Sequence, residues 1–516
     1  MSNFFQLINN DGFARTGVIK TAHGNIQTPV FMPVGTIGSV KSIFPEDLKK
    51  IGVKIILGNT YHLMLRPGEE LIQRMGGLQK FINWNLPILT DSGGYQIWSL
   101  SKLRKLDKDG VTFSSHIDGK KFRLTPEKSI DIQNKLNSDI TMVLDECTDY
   151  PASFLESSES LDLTTSWAKK CKKVFKKRNG FALFGINQGG IHKELRKKSI
   201  KALIELDFDG YALGGLSVGE KLTDMIEIVK YTSKFCPINK PRYLMGVGRP
   251  IDIFNAIKFG IDMFDCVLPT RFGRNGRAFT SAGEINLRNS KFANNNEPLD
   301  KNISCFVSKN YSKSYIHHLT KSNEILSAMI LSLHNVAFYE KMMSDIRVSI
   351  KNKNFLELLM EYKKKIFFMK KLNQLGKKSK ILENPQKVEL DKIDNPHNGL
   401  DYVVRLSSPE FTSICPKTGQ PDFGNIVIDY VPNKFIVESK SFKLYLYSFR
   451  NHGAFHEDCT IMIAKKVLKA INPKWLRACG FWNPRGGIPI DIFFQTGEKP
   501  KNIWIQDYEI NYYKGR

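Results

Sequence analysis

Two sets of residues in this 516-residue chain have types and spacings suited to chemistry. The first is Cys415 and Asp422, seven apart in FTSICPKTGQPDFG. Ser413, Pro416, Lys417 and Gly419 surround the cysteine and read as an exposed turn near positive charge, a setting that favours the nucleophilic thiolate. Asp422 is near enough to return and donate protons. The competing reading is that a lone cysteine is most often a small buried hydrophobe. The second set is Asp91, Asp145, Gln188, Gly215 and Asp265, each at or just past the end of a short apolar run. Two carboxylates facing a glycosidic carbon permit a double displacement, one bonding to the anomeric carbon while the other moves protons. A glutamine amide, a third aspartate and glycine N–H groups suit the edge of a planar heterocycle, and Tyr95 suits its face.

The elements that must position these groups are legible as patterns. Apolar runs recur at 28–34, 53–59, 87–91, 140–145, 181–187, 210–215, 242–248 and 261–267, separated by longer helical stretches. Runs apolar on both faces, alternating with helices, predict a parallel sheet, and eight of them predict a closed (β/α)₈ TIM barrel. A single aspartate after a strand is usually a helix cap; three aspartates, a glutamine and repeated glycines at one C-terminal rim exceed what capping explains. Segment 92–139 is longer than one helix requires and predicts an insertion. Residues 361–380 hold eight lysines and read as the start of a solvated connector, with an auxiliary polyanion contact as the alternative. Beyond 401, GNIVIDYV, KWLRACGFW and IPIDIFF read as strands, and SKSFKLYLYSF and HEDCTIMIAKKVLKAIN as helices, an α+β pattern. The expected division is 1–370, a linker over 371–400, and 401–516.

Composition narrows the class. With 41% hydrophobic and 25% charged residues the chain is of the soluble globular type. A formal charge of +25 favours a polyanionic partner through counterion release, although a lysine-rich composition bias produces the same excess. Eight scattered cysteines without a CxxC pair predict reduced thiols and a cytoplasmic setting. No run of eighteen apolar residues and no basic-then-apolar leader is present, so neither a membrane span nor a signal peptide is expected.

NTYHLMLRPGEE, LTDSGGYQ, LDECTDYP, GINQGG, YALGGLSVGE, YLMGVGRP and FDCVLPTRFGRNGRAF resemble, in order and spacing, the bacterial tRNA-guanine transglycosylases over about residues 3–367. The resemblance implies that Asp91 is the general base and Asp265 the nucleophile on the ribose of the anticodon wobble nucleotide. It places Ser92, Gly93, Gly94, Tyr95, Asp145, Gln188 and Gly215 around the base, with Met245 beside them. It assigns the tRNA to Gly246, Val247, Gly248, Arg249, Pro250, Ile251 and Asp252, and to Thr270, Arg271, Phe272, Gly273 and Arg274. Phe272 and Gly273 depart from the family's usual Asn-Ala pair. So does the family's zinc set, Cys-x-Cys-x-x-Cys with a distant His, whose positions read here as Ile303, Cys305, Ser308 and His318. With only Cys305 and His318 left of the four ligands a tetrahedral zinc requires, none is expected.

FTSICPKTGQPDFG, VESKSFKLYLYSFRNHGAFHEDC and NPRGGIPID, across roughly 405–494, resemble the single-domain 7-cyano-7-deazaguanine (preQ0) reductases, nitrile reductases with a tunnelling fold (T-fold). That resemblance implies a covalent thioimide at Cys415, proton donation by Asp422, and substrate contacts from Val437, Glu438, Ser439, His456 and Glu457. It implies NADPH binding by Lys440, Lys443 and Arg485; no GxGxxG follows a strand, in keeping with a nicotinamide site that is not a Rossmann fold. Together the two resemblances imply a bifunctional enzyme of queuosine biosynthesis. It would reduce the nitrile to 7-aminomethyl-7-deazaguanine and exchange that base for the wobble guanine of tRNAs with GUN anticodons. They also imply a homo-oligomer, since transglycosylases of this kind are dimers and the reductases form larger rings. Two alternatives stay open: a barrel that binds tRNA without catalysis beside an active reductase, or a barrel that takes queuine.

Overall fold

The apolar runs of the first 270 residues become β1 (Val30–Gly35), β2 (Ile56–Gly58), β3 (Ile88–Thr90), β4 (Ile140–Met142), β5 (Ala182–Asn187), β6 (Gly210–Leu213), β7 (Arg242–Leu244) and β8 (Met263–Cys266). Each pairs in parallel with the next, and β8 pairs with β1 to close the barrel. Every residue of β1 to β7 is buried, which is why these strands carry no polar alternation in sequence. Between strands the helices are amphipathic: Leu222–Ser233 buries Met225, Ile228, Val229 and Thr232, one stripe at helical spacing. The computed structural model describes residues 4–100, 104–369, 384–485 and 487–506, and the chain divides into two units, Met1–Ile366 and Phe367–Arg516.

Outside the barrel ring the first unit has pieces that sequence patterning did not reveal. A three-stranded antiparallel sheet covers Phe5–Thr28, tied down by Arg15, whose guanidinium donates to both carboxylate oxygens of buried Asp262 (2.9 and 2.5 Å) at the N-terminal end of β8. The expected insertion after β3 contains the antiparallel strands Arg104–Asp107, Gly110–Ser114 and Lys121–Leu124, followed by the helix Pro126–Lys135. Thr125 caps that helix, its hydroxyl accepting from Lys128 N–H (3.2 Å). After β8 come a helix Leu268–Arg274, a hairpin of Arg277–Thr280 with Gly283–Asn286, and a 27-residue helix Ile325–Lys351.

In the second unit β9 (Val404–Ile414), β10 (Pro421–Val431), β11 (Trp475–Arg485) and β12 (Ile488–Gln495) form an antiparallel sheet in that order. The helices Ser439–Tyr447 and His456–Ile471 share a core with it, in which Ile426, Ile428 and Tyr430 alternate along β10 and meet Phe442, Tyr445, Ile463 and Val467. Asp429, between them in sequence, points to the opposite face and accepts from Arg405 (2.7 and 2.9 Å) and Arg477 (2.8 Å) of the flanking strands. Of the stretch expected to be linker, 371–383 lie outside the described residues. The remainder belongs to the second unit: Val388 and Leu390 are buried in its core, and Lys392–Asp394 pairs with Phe435–Val437. Two apolar side chains supply the burial that a solvated connector lacks. Among the described residues no helix is long and apolar enough to cross a membrane.

Candidate active sites

Asp91 follows β3 directly, and its backbone N–H donates to the Gly58 carbonyl (3.2 Å), continuing the barrel ladder past the last strand residue. Its carboxylate accepts from Thr60 N–H (2.8 Å), Gln96 Nε2 (2.8 Å) and Asn59 Nδ2. Burial pushes its pKa up to about 6; the three donors oppose that rise, and the charge of Asp265 adds to it. A carboxyl so poised takes and returns protons near neutrality. Asp265 lies in β8, opposite Met32 of β1. Its Oδ1 accepts from Tyr243 Oη (2.6 Å) and Gly246 N–H (2.8 Å), and neither donor uses Oδ2. Burial raises this carboxyl too, with Tyr243 and Gly246 opposing. The carboxylates therefore stand at one rim and sense each other. Asn59, Thr60, Gln96 and Tyr243 were not singled out from sequence; each sits inside a quoted motif, but none carries a carboxylate to draw attention.

The pocket beside them is built around Asp145. Its Oδ1 accepts from Ser92 Oγ (2.9 Å) and its Oδ2 from Gln188 Nε2 (2.8 Å), and burial raises its pKa. Two glycines are required here by space. A Cβ on Gly94 would lie 2.4 Å from the Asp145 carbonyl oxygen, and one on Gly215, at φ +61°, 2.2 Å from Gln188 Oε1. Ser92, Gly94, Asp145, Gln188 and Gly215 are thus brought together as expected. Gly93 is buried behind them, Met245 is half-buried on the neighbouring strand end with its N–H on the Leu213 carbonyl (3.2 Å), and Tyr95 is exposed, 5.3 Å from the ring of Trp98.

Beneath this pocket lies a group that the sequence did not flag. Arg196, fully buried on the helix Lys193–Glu205, donates to the carbonyls of Gly190 (2.8 Å), Asn187 (2.7 Å) and Gly215 (3.5 Å). It spans the loops after β5 and β6 that carry Gln188 and Gly215. Arg196→Met would strand those carbonyls at roughly 1–3 kcal/mol each. The expected result is a lower melting temperature, read by thermal denaturation of the variant beside wild type.

The segments expected to hold tRNA are only partly presented. Gly246, Arg249 and Arg271 are exposed, and Ile251, Asp252 and Arg274 half-buried; Val247, Gly248, Pro250, Thr270, Phe272 and Gly273 are buried. Phe272 stacks on Phe279 (5.0 Å, 8° between planes), and Gly273 packs on the Ser332 backbone, where a Cβ would meet Ser332 N at 2.5 Å. Of this loop only the two arginines reach the surface, Arg271 exposed and Arg274 half-buried.

One sequence assignment needs correction. His318 sits exposed on the helix Lys313–Lys321, whereas the imidazole that meets Ser308 belongs to His334, fully buried on Ile325–Lys351 (Ser308 Oγ to His334 Nδ1, 2.7 Å). The histidine that meets this segment is His334 and not His318. The helical register decides this, because a histidine in the buried stripe of a long helix reaches the segment and one in the exposed last turn of a short helix does not. Among the described residues no group of three or more His, Cys, Asp or Glu side chains could hold a metal ion.

In the second unit Cys415 follows β9 in the turn leading to β10, its N–H donating to the Gln420 carbonyl (2.9 Å). Asp422 pairs with Ser413 across the two strands, so it returns to the thiol's end of the hairpin. Residues 452–454 bond back to Ile414 (3.3 and 3.1 Å) and bring the start of the helix His456–Ile471 alongside. His456 Nε2 then lies 3.1 Å from Asp422 Oδ1, its ring stacked on Trp482 (4.2 Å, 14°). Val437 is buried, and Glu457 is exposed in the first turn of its helix. Glu438 is buried and caps the helix Ser439–Tyr447, accepting from Lys440 N–H (3.0 Å) and Ser441 N–H (2.7 Å). A cavity of about 430 Å³ between β9 and that helix is lined by Ser439 and Lys443 with Arg405, Tyr447 and Arg450; Arg450 was not foreseen. Lys440 is half-buried at the helix start, and the side chain of Arg485 lies outside the described residues.

Fold and rim geometry together define a TIM-barrel protein with a buried carboxylate pair beside a polar pocket, followed in the chain by an antiparallel sheet unit with a thiol and a carboxylate. The family model described as Queuine tRNA-ribosyltransferase matches residues 10–367, and one described as QueF-like protein matches residues 421–501. The Queuine tRNA-ribosyltransferase of Rickettsia bellii is 57% identical over 334 residues, 65% of this chain and 92% of its own length. That of Rickettsia felis is 56% identical over 352 residues, 68% of this chain and 98% of its own length. The chain belongs to the queuine tRNA-ribosyltransferase family and carries a QueF-like region later in its sequence.

Proposed function

We propose that the chain catalyses two consecutive steps of queuosine biosynthesis, reducing 7-cyano-7-deazaguanine to its 7-aminomethyl form and exchanging that base for guanine at the wobble position of tRNAs with GUN anticodons. The observation that carries this reading is the presence, on one chain, of Asp91 and Asp265 at the rim of a ribosyltransferase-family barrel and of Asp422 and His456 within the QueF-like match, with Cys415 just before it at the same end of the hairpin. In the barrel, an Asp265 oxygen bonds to ribose C1′ as the C1′–N9 bond of guanine breaks, and Asp91 gives its proton to the departing base. The incoming base then returns a proton to Asp91 as its nitrogen takes C1′ from Asp265. Ser92, Asp145 and Gln188 read the heterocycle's edge, and Arg249 and Arg271 meet the phosphates.

In the second unit the Cys415 sulfur adds to the nitrile carbon, Asp422 gives the nitrogen its proton, and a thioimide results. His456 holds Asp422 in place and resupplies it. The reduction would take one hydride from each of two NADPH molecules bound in turn; between them the C–S bond breaks, returning the Cys415 thiolate and leaving an imine for the second hydride. The residues fit such a cofactor, since Lys443 and Arg450 around the 430 Å³ cavity are donors for phosphates. Incubating the full chain with cyano base, NADPH and unmodified tRNA is expected to yield 7-aminomethyl-7-deazaguanosine in the tRNA digest by mass spectrometry. Modified base without NADPH, or none with it, would contradict the reading.

A pH dependence follows from the raised pKa of Asp91 at about 6. Transfer of the sugar to the incoming base needs Asp91 ionised, so its single-turnover rate rises with pH through about 6 and falls about tenfold per unit below. Guanine departure needs Asp91 protonated and shows the opposite slope. Rapid-quench measurement of each half-step checks this, and Asp91→Asn is expected to remove both limbs along with most of the rate.

A further inference from the structure

We propose that a buried hydrogen-bonded clasp, Ser308 to His334 to the Phe279 carbonyl, holds the region behind the barrel without a metal ion, in positions where the zinc-binding pattern places its ligands. Two of those four positions are Ile303 and Ser308, neither of which offers a thiolate, imidazole or carboxylate. Ile303 and Cys305 are instead packed into the hydrophobic core of the first unit. His334 Nε2 lies 2.8 Å from the Phe279 carbonyl oxygen, which can only accept, so the ring proton is on Nε2. Nδ1 is then the acceptor, and Ser308 Oγ donates to it at 2.7 Å. Both ring nitrogens are committed, and the one lone pair a metal would use is already occupied.

The clasp joins the helix Phe306–Asn310, the helix Ile325–Lys351 and the strand Arg277–Thr280. The next residue, Asn335, extends it: its Oδ1 accepts from Phe279 N–H (2.9 Å), and its Nδ2 donates to the carbonyls of Pro269 (2.9 Å) and Arg277 (3.0 Å). Phe279 is thus held at both backbone groups, and Pro269 lies at the start of the helix that carries Arg271 and Arg274. The clasp therefore positions the segment assigned to tRNA. The clasp rests on the barrel unit's fold, so its metal and melting tests stand apart from the proposed reaction; only the KM readout rests on that reading.

The test is metal content and melting of the full chain, purified without added metal. Zinc far below one per chain is expected, together with a melting temperature that excess EDTA leaves unchanged. About one tightly held zinc per chain, or a melt lowered by EDTA, would overturn the proposal. The double variant I303C/S308C restores the three thiols and, by expectation, gains about one zinc per chain. It should also gain a thiolate-to-metal absorption band with cobalt, and a melt that EDTA now lowers. A folded double variant that takes no metal overturns the assignment of these positions. If it does not fold, Ser308→Ala decides. That variant strands a buried ring nitrogen and is expected to melt roughly 2–4 °C lower and to raise the KM for tRNA, leaving that for the base unchanged. An unchanged melt would sink the clasp.

Discussion

Asp265→Ala is expected to lose at least about 10³-fold in base exchange, because it removes the atom proposed to hold the ribose between the two half-steps. The wild-type chain, mixed with tRNA and denatured, should migrate as a covalent protein–tRNA adduct, and the variant should not. Tyr243→Phe provides the graded comparison. Its hydroxyl donates to Asp265 at 2.6 Å, and a bond to a charged acceptor is worth roughly 1.5–3 kcal/mol, so a drop of about 10- to 100-fold is expected. If Asp265→Ala still exchanged base at a wild-type rate, the double displacement would be lost as an explanation. Nitrile reduction by both variants, measured as NADPH consumption with the cyano base, should match wild type.

Cys415→Ala is expected to be the mirror image, losing at least about 10³-fold in nitrile reduction while exchanging supplied aminomethyl base normally. Intact-mass measurement after incubation with the cyano base alone should show wild-type chain heavier by one substrate molecule, and the variant unchanged. Asp422→Asn keeps the thiol but cannot give a proton, and a loss of about 10²- to 10⁴-fold is expected. Its adduct should still form, slowly, which separates the nucleophile from the proton donor. A Cys415→Ala chain that reduced nitrile as fast as wild type would show that the thiol is a packing residue after all.

The barrel was readable because a strand buried on both faces must be continuously apolar, and eight such runs leave few other architectures. The antiparallel pieces were harder. β9 went unread because VRLSSPEFTSI mixes polar residues with an internal proline; the strand tolerates Pro409 through a register shift between Ser408 and Phe411 at the sheet edge. Val388 and Leu390 are too few to show a period, yet they pull the end of the supposed linker into the second core. At the site, the acids and the thiol drew attention because titratable groups at strand ends stand out. Their holders were not: Asn59, Gln96 and Tyr243 are neutral, and Arg196 lies on a helix among lysines that hide it.

The placement of His318 in the zinc set marks the same boundary. Sequence by itself determined which side chains were present: two carboxylates, a thiol, and a metal set too poor to close a tetrahedron. Which of them touch was decided only in three dimensions. Hydrogen bonds act over about 3 Å, and residues separated by 26 positions, such as Ser308 and His334, reach that distance only when packed helices bring them there. The same holds for the rim, where burial and neighbouring charge set the proton affinity of Asp91, and neither exists until the barrel closes.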